Sequence, residues 1–127
     1  MHEIGLCEGV LGVALEAAGG EPVSRVRLRV GRLQGVVPEV MEQAWAMVSE
    51  GTPASGSRVE MVEVPVRVRC RSCGQDTESP DTPFACSQCG SPDVGIVGGE
   101  ELVVEEVELA TGEVRRNPAL VASGEEV

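Results

Sequence analysis

Apolar residues recur at steps of three and four along the start of the chain. They are Ile4, Cys7, Leu11, Ala14, Leu15 and Ala18. This spacing places them on one face of a helix, and Gly19-Gly20 follows as a terminator. The pattern therefore predicts an amphipathic helix over residues 3–18.

A second helix is predicted from Pro38, because proline favours the first helical position. Glu39 and Glu42 lie near the positive end of the helix dipole, and Gly51 is the expected terminator. The predicted inner face consists of Val40, Met41, Ala44, Trp45 and Val48.

Three segments have the pattern of β-strands. Apolar residues and arginines alternate over residues 25–30, which predicts a strand with one buried face. Residues 58–69 form a second run, whose apolar positions change phase between Met61 and Val62, so we expect a bulge there. Residues 101–109 are the third candidate.

The order of these elements predicts an α+β fold with two helices on a three-stranded sheet and an inserted four-cysteine zinc-ribbon lobe. The expected division is an α+β domain of residues 1–69 plus 95–110 and a lobe of residues 70–94. Residues 111–127 are expected to be a flexible tail, because they mix Gly, Glu, Arg and Pro without a period.

The arginines of the first strand form a stripe at Arg25, Arg27 and Arg29. We expect it to face solvent and to be neutralised across the sheet, and the alternative is a docking surface for an acidic partner. The glutamates expected to pair with it are Glu60, Glu63, Glu106 and Glu108.

Composition narrows the functional classes. The net charge of −11 disfavours nucleic acid and anionic membranes as partners, because both carry negative charge. No apolar run has the length of a membrane span, and the start of the chain lacks the order of a signal peptide. A cytoplasmic location is therefore expected, where cysteines stay reduced. Aromatic residues make up only 2%, so the core must consist mainly of Val, Leu and Ala.

Two copies of one cysteine unit predict a metal site. Cys70 and Cys73, and then Cys86 and Cys89, are each two residues apart and are each followed by glycine. Two such units supply four thiolates to a tetrahedral Zn(II) ion and leave no open position, which indicates a structural ion. The alternatives are a redox dithiol and a rubredoxin-like iron centre.

His2 is the only histidine and is adjacent to the α-amino group of Met1. The amine, the deprotonated His2 amide and the imidazole Nδ1 can close two chelate rings on one ion. The Glu3 amide or a carboxylate can complete a plane of the kind that Ni(II) or Cu(II) prefers. From its position alone, His2 is more simply interpreted as an exposed residue at a chain start.

Several short motifs together resemble the HypA/HybF family of hydrogenase maturation nickel chaperones. They are Met1-His2-Glu3, Cys7-Glu8-Gly9, Val30-Gly31, Pro38-Glu39, Gly51-Thr52-Pro53, Val59-Glu60-Met61 and the two cysteine pairs. The resemblance implies that His2 is the principal nickel ligand, that Met1 and Glu3 add main-chain nitrogens, and that the four cysteines bind zinc. The α+β domain would then be the nickel-binding one.

The resemblance also implies partners. It suggests delivery of Ni(II) to the large subunit of a [NiFe]-hydrogenase together with a HypB-type GTPase, and in some organisms a role in urease maturation. A second copy of the chain is an open alternative. The chain departs from many relatives at Val37 and Arg32, where they carry acidic residues, and its cysteine pairs have no flanking histidines.

Two further interpretations stay open. Cys7 is expected to be a small buried hydrophobe by helical spacing, and its alternative is a thiolate near the nickel site. For the whole chain, the rivals are a zinc-ribbon interaction module without metal cargo and a rubredoxin-like electron carrier. No catalytic triad or phosphate loop is visible in the sequence, so we do not expect an enzyme.

Overall fold

The computed structural model describes residues 2–80, 82–116 and 119–122, and the side chains of 3–80 and 82–116 among them. The helices are α1 (His2–Ala18) and α2 (Pro38–Ser49), with a short 3-10 helix at Arg32–Gln34. The strands are β1 (Val23–Gly31), β2 (Arg58–Val64), β3 (Arg67–Cys70), β4 (Asp76–Glu78), β5 (Val94–Gly98), β6 (Leu102–Leu109), β7 (Val114–Arg115) and β8 (Ala119–Ala122).

The helices and strands pack as an α+β structure, which confirms the predicted fold class. The main sheet has the order β2-β1-β6-β7, and β8 also pairs with β6. β1 and β2 are parallel, since α2 provides the crossover between them, and β6 is antiparallel to β1. The core lies between this sheet and the two helices, and its largest fully buried side chain is Trp45.

The helices begin and end close to the predicted positions. α1 ends at Ala18 because Gly19 and Gly20 both adopt positive φ, which glycine tolerates. On α2, Met41, Ala44 and Trp45 are buried as predicted. Val40 was expected on the same inner face, but it is 42% exposed because it lies on the flank of α2.

The predicted strand over residues 58–69 is two strands in different sheets. β1 pairs with β2 without a register shift, so the bulge expected between Met61 and Val62 is wrong. The run breaks instead around Pro65, which lacks an amide for the ladder, and β3 joins a second sheet.

The bulge lies in β6. Arg27 is opposite Glu106 while Leu28 is opposite Val104, so Glu105 is the extra residue. The sequence contains this signal, because the buried positions change phase between Val104 and Val107.

The arginine stripe is paired across the sheet. Arg25 contacts Glu60, Glu106 and Glu108 at 3.1, 2.8 and 2.9 Å, as expected. Arg29 and Arg27 contact Glu105 at 3.0 and 3.5 Å, a partner that only the bulge brings to this face.

The C-terminal segment differs from the expected flexible tail. β7 pairs with β6 at Val107 and Glu108, and β8 pairs with β6 from Leu102 to Val104. The main sheet therefore has five strands rather than three. Residues 117–118 and 123–127 lie outside the described residues.

The lobe is built on the second sheet, whose order is β4-β3-β5. It extends from Arg67 to Gly98, which is wider than the predicted 70–94. Both of its connections to the main sheet pass the end of β1. A Cβ on Gly31 would lie 2.3 Å from the carbonyl carbon of Gly99, and a Cβ on Gly99 would lie 2.8 Å from the Cα of Val66.

Hydrogen bonds hold this crossing together. The amide of Gly31 donates to the Glu101 carbonyl at 2.6 Å, and the amide of Leu33 donates to the Gly99 carbonyl at 2.8 Å. Val66 is 1% exposed, so the connection between β2 and β3 is buried at this residue. The lobe is thus attached at a packed backbone crossing.

We predict that Gly31→Ala lowers the free energy of unfolding by about 1–3 kcal/mol, because the added methyl group would overlap the backbone of Gly99. Urea unfolding of the zinc-loaded protein measures the change. Gly12→Ala is the matched control, since nothing lies within 4 Å of its added Cβ and α1 would gain up to about 1 kcal/mol. Equal effects of the two substitutions would contradict the role of the crossing.

Candidate metal centres

The four predicted cysteines come together at the tip of the lobe. Their Sγ atoms all lie within 4.8 Å of one another. Sγ of Cys70 is 3.6 Å from that of Cys89, and Sγ of Cys73 is 3.6 Å from that of Cys86. A zinc ion with four bonds of about 2.3 Å needs sulfur atoms about 3.8 Å apart. The cluster therefore fits a tetrahedral Zn(II) ion.

Backbone amides surround two of these sulfur atoms. The amides of Ser72 and Cys73 donate to Sγ of Cys70, each at 3.3 Å. The amides of Gln88 and Cys89 donate to Sγ of Cys86 at 3.3 and 3.4 Å. Repetition of one local geometry explains why the unit is duplicated in the sequence.

The glycine after each unit closes its turn. Gly74 donates to the Cys70 carbonyl at 2.9 Å, and Gly90 donates to the Cys86 carbonyl at 2.8 Å. Their φ angles are +79° and +81°, where a side chain would be strained.

The same hydrogen bonds favour the thiolate form that a metal requires. The amide of Cys89 is the largest influence that lowers the pKa of Cys86, to about 6. The amide of Cys73 likewise lowers the pKa of Cys70. Both side chains are therefore prepared to bind a cation as anions.

The lobe has little apolar material to hold it together. Among its described residues the fully buried aliphatic side chain is Val68, and its only aromatic residue, Phe84, is half-buried. Cys70 and Cys86 are themselves buried at 1% and 2% exposure. A bound ion would replace the missing core, as expected for small metal-held lobes.

The three residues of the predicted nickel site are described only in part. Met1 lies outside the described residues, and His2 is the first residue of α1, without a described side chain. Glu3 is described further. Its Oε2 accepts a hydrogen bond from the Val37 amide at 3.4 Å, so the start of α1 lies beside the start of α2.

This contact gives Val37 a role that its side chain does not suggest. Val37 is the N-cap residue of α2, so the amide that it donates to the Glu3 carboxylate lies at the positive end of the helix dipole. Sequence reasoning treated Val37 only as a departure from relatives and missed the contact, because a backbone donor has no signal in the sequence.

Cys7 is buried away from solvent, which confirms its predicted place in the core. It is 0% exposed, and its thiol lies 3.5 Å from Sδ of Met41. Desolvation, with a smaller contribution from the charge of Glu3, raises its pKa to about 11. Cys7 is therefore a neutral thiol at neutral pH, and the alternative of a thiolate ligand is not supported.

No described helix is long and apolar enough to cross a membrane. A groove of about 800 Å³ lies between α2 and β2, with Trp45 and Met61 in its wall, and it involves none of the predicted metal ligands.

Comparison with models of protein families shows which family the chain belongs to. Residues 1–109 match the model of the HypA family, which is described as hydrogenase/urease nickel incorporation metallochaperones. The chain belongs to the HypA family. The resemblance inferred from the short motifs is thus confirmed.

Individual HypA proteins agree with this assignment. The chain is 34% identical over 109 residues to the hydrogenase maturation factor HypA of Nostoc punctiforme, covering 86% of this chain and 96% of that protein. It is 38% identical over 112 residues to that of Acidithiobacillus ferrooxidans, covering 86% and 99%.

A solved HypA structure has the same fold. The solution structure of the Ni metallochaperone HypA from Helicobacter pylori matches with a TM-score of 0.63 at 19% identity, and covers 86% of this chain and 97% of that one. At this identity the match supports the fold alone.

We predict that Cys86→Ser abolishes stoichiometric zinc binding and unfolds the lobe, because a hydroxyl cannot replace the thiolate. Metal analysis of desalted protein and NMR spectra of the β3–β5 sheet measure both effects. Cys7→Ala is the control, since it removes the cysteine that lies outside the cluster and should keep one zinc ion. Full zinc retention by Cys86→Ser would contradict the site.

A second prediction concerns the pH dependence of stability. The pKa of Cys7 rises from 9.0 to about 11 on folding, so the folded state keeps a proton that the unfolded state loses between these values. The free energy of unfolding should therefore fall as pH rises through this window, by about 2–3 kcal/mol in total. Urea unfolding at several pH values should show the loss in the unsubstituted protein and a smaller slope in Cys7→Ala. Parallel slopes would refute it.

Proposed function

We propose that this chain is a nickel carrier that binds Ni(II) at its N-terminus and delivers it during [NiFe]-hydrogenase maturation. The observation that carries the proposal is the HypA-family match over residues 1–109, which includes Met1-His2-Glu3. The family description also names urease, and the same nickel site would serve either target enzyme.

The proposed nickel ligands are the Met1 amine, the His2 amide and imidazole, and the Glu3 amide or a carboxylate. The helix start supports this set, because the first amides of an α-helix have no intrahelical acceptor. The amides of His2 and Glu3, the first residues of α1, can therefore turn to a metal without breaking the helical ladder.

Such a site can also release its cargo. Few groups need to move when a ligand of the target displaces the amine or the imidazole. Acid would loosen the site, because these nitrogens must lose protons to bind. Nickel is the substrate of this transfer and not a resident cofactor.

The proposed resident ion is Zn(II), bound by Cys70, Cys73, Cys86 and Cys89. Their closed tetrahedron leaves no position for substrate, so the role of zinc is to hold the lobe folded. The lobe would then offer a stable surface to partners. As the family implies, the proposed partners are a HypB-type GTPase and the hydrogenase large subunit, and the proposed location is the cytoplasm.

We predict that His2→Gln weakens Ni(II) binding by about a hundredfold or more, since loss of a ligand should cost more than the 10- to 100-fold typical of its supporting residues. Glutamine is chosen because a large second residue preserves Met1. Titration calorimetry with untagged, zinc-loaded protein measures the affinity, and mass spectrometry verifies the intact Met1.

Two further variants define the ligands. Glu3→Gln keeps the amide and removes the carboxylate, so unchanged affinity would assign the fourth position to the amide. A short N-terminal extension converts the amine to an amide and should also weaken binding. If His2→Gln binds Ni(II) as tightly as the unsubstituted chain, the proposed site is wrong.

A further inference from the structure

The two helices carry acidic charge only. α1 contains Glu3, Glu8 and Glu16, and α2 contains Glu39 and Glu42. All ten Lys and Arg residues of the chain are arginines, and every one lies outside these helices, while His2 at the start of α1 is counted as neutral at pH 7. The helical layer is therefore negative, whereas the outer face of the sheet has its charges paired.

α1 and α2 run side by side in the same direction. Glu3 contacts Val37, and one helical turn further along each helix, Cys7 contacts Met41. Successive turns of the two helices therefore lie side by side. On the solvent side, the boundary between the two helices runs along their length.

Each helix has one flank beside this boundary. On α2, Pro38, Glu42 and Ala46 face β2, which leaves Val40 and Met47 on the opposite flank towards α1. On α1, Val13 and Ala17 face β6. The remaining apolar flanks form what we call the helix seam, which consists of Ile4, Leu11, Leu15, Val37, Val40 and Met47.

The helix seam is apolar. Its residues on α1, which are Ile4, Leu11 and Leu15, are half-buried and also pack against the core, whereas its residues on and next to α2 are exposed. Val37, Val40 and Met47 are 47%, 42% and 65% exposed. They are not needed for the core, because α2 packs against it with Met41, Ala44 and Trp45. Gly5 and Gly12 of α1 have no side chain, and no atom lies within 4 Å of where their Cβ would be. The solvent side of α1 beside the seam therefore has no protruding side chain at these two positions. Glu8 and Glu39 supply charge on the solvent side of the two helices.

We propose that the helix seam docks an amphipathic helix of a partner protein whose polar face carries Lys or Arg. An apolar groove between helices recognises the apolar stripe of such a helix, and the surrounding glutamates attract its basic flanks. The seam is about 17 Å long from Ile4 to Leu15, which matches three turns of helix.

Charge also selects among the possible occupants. A second copy would bring acidic helices to the seam, because neither α1 nor α2 contains Lys or Arg. An anionic membrane would be repelled in the same way. The proposal goes beyond nickel carriage and does not depend on it, since no residue of the seam is a proposed metal ligand.

The test uses a synthetic, fluorescently labelled peptide of about 18 residues, long enough to form a helix, with Leu on one face and Arg on the other. Anisotropy titration of the full, zinc-loaded chain without nickel should show saturable binding that weakens with salt. Amide shifts in NMR spectra should map to α1 and α2. A scrambled peptide of equal composition should bind at least about tenfold more weakly, a difference of about 1.4 kcal/mol.

Matched variants locate the site. Met47→Ser should weaken peptide binding by about tenfold, whereas Val62→Ser, an exposed valine on β2, should not. Glu8→Gln should weaken binding severalfold more than Glu16→Gln, which lies on the other flank of α1 and faces β6.

Three outcomes would overturn the proposal. The first is equal binding of the scrambled peptide, which would indicate charge attraction alone. The second is shifts confined to the β-sheet, or no binding. The third is a dimer in sedimentation that Met47→Ser dissociates, which would assign the seam to a second copy. Because nickel is absent, none of these outcomes bears on the proposed nickel site.

Discussion

The backbone contact between Gly31 and Gly99 joins the two parts of this molecule. β1 is central in the main sheet, and its last residue lies against Gly99 in one connection to the lobe, while Gly99 lies against Val66 in the other. Glycine is required on each side, because a Cβ on Gly31 would overlap Gly99 and a Cβ on Gly99 would approach Val66. The lobe therefore projects from a packed crossing and not from an extended linker. Its orientation relative to the main sheet follows from hydrogen bonds at Gly31 and Leu33.

A second constraint follows from the thin core. Because the chain has few aromatic residues, its main core consists largely of valines. The lobe has few buried valines, and there the cysteines that are proposed to bind zinc occupy the interior. The ion pairs around Arg25 lie on the opposite face of the same sheet and replace an apolar covering layer there. Arg25 and Glu106 are each only 14% exposed, so these ion pairs are partly buried, and they make the charged outer face neutral at short range. This leaves the helical layer as the strongly acidic surface.

The sequence predicts local elements better than long-range ones. The helices follow from periodicity and from Pro38 and Gly19, and the cysteine cluster follows from a duplicated spacing, because both signals are local. The bulge predicted between Met61 and Val62 is wrong and the bulge at Glu105 was not predicted, since a phase change along one strand can be assigned to a bulge only when its partner is known. The break at Pro65 and the strands β7 and β8 were missed for the same reason. Pairing of short segments depends on a sheet edge that the rest of the chain creates.

The two proposed metal sites draw their ligands from different parts of the fold. The sulfur cluster combines ligands from two hydrogen-bonded turns that are 13 residues or more apart, so a bound ion would join separate segments of the lobe. The proposed nickel ligands come from three successive residues at one chain end, where the Glu3 carboxylate accepts a hydrogen bond from the Val37 amide. Because such a set of donors joins no separate segments of the lobe, the proposed nickel site could exchange its ion while the lobe stays folded. On this proposal, a permanent zinc ion and an exchangeable nickel ion follow from where each set of donors lies along the chain.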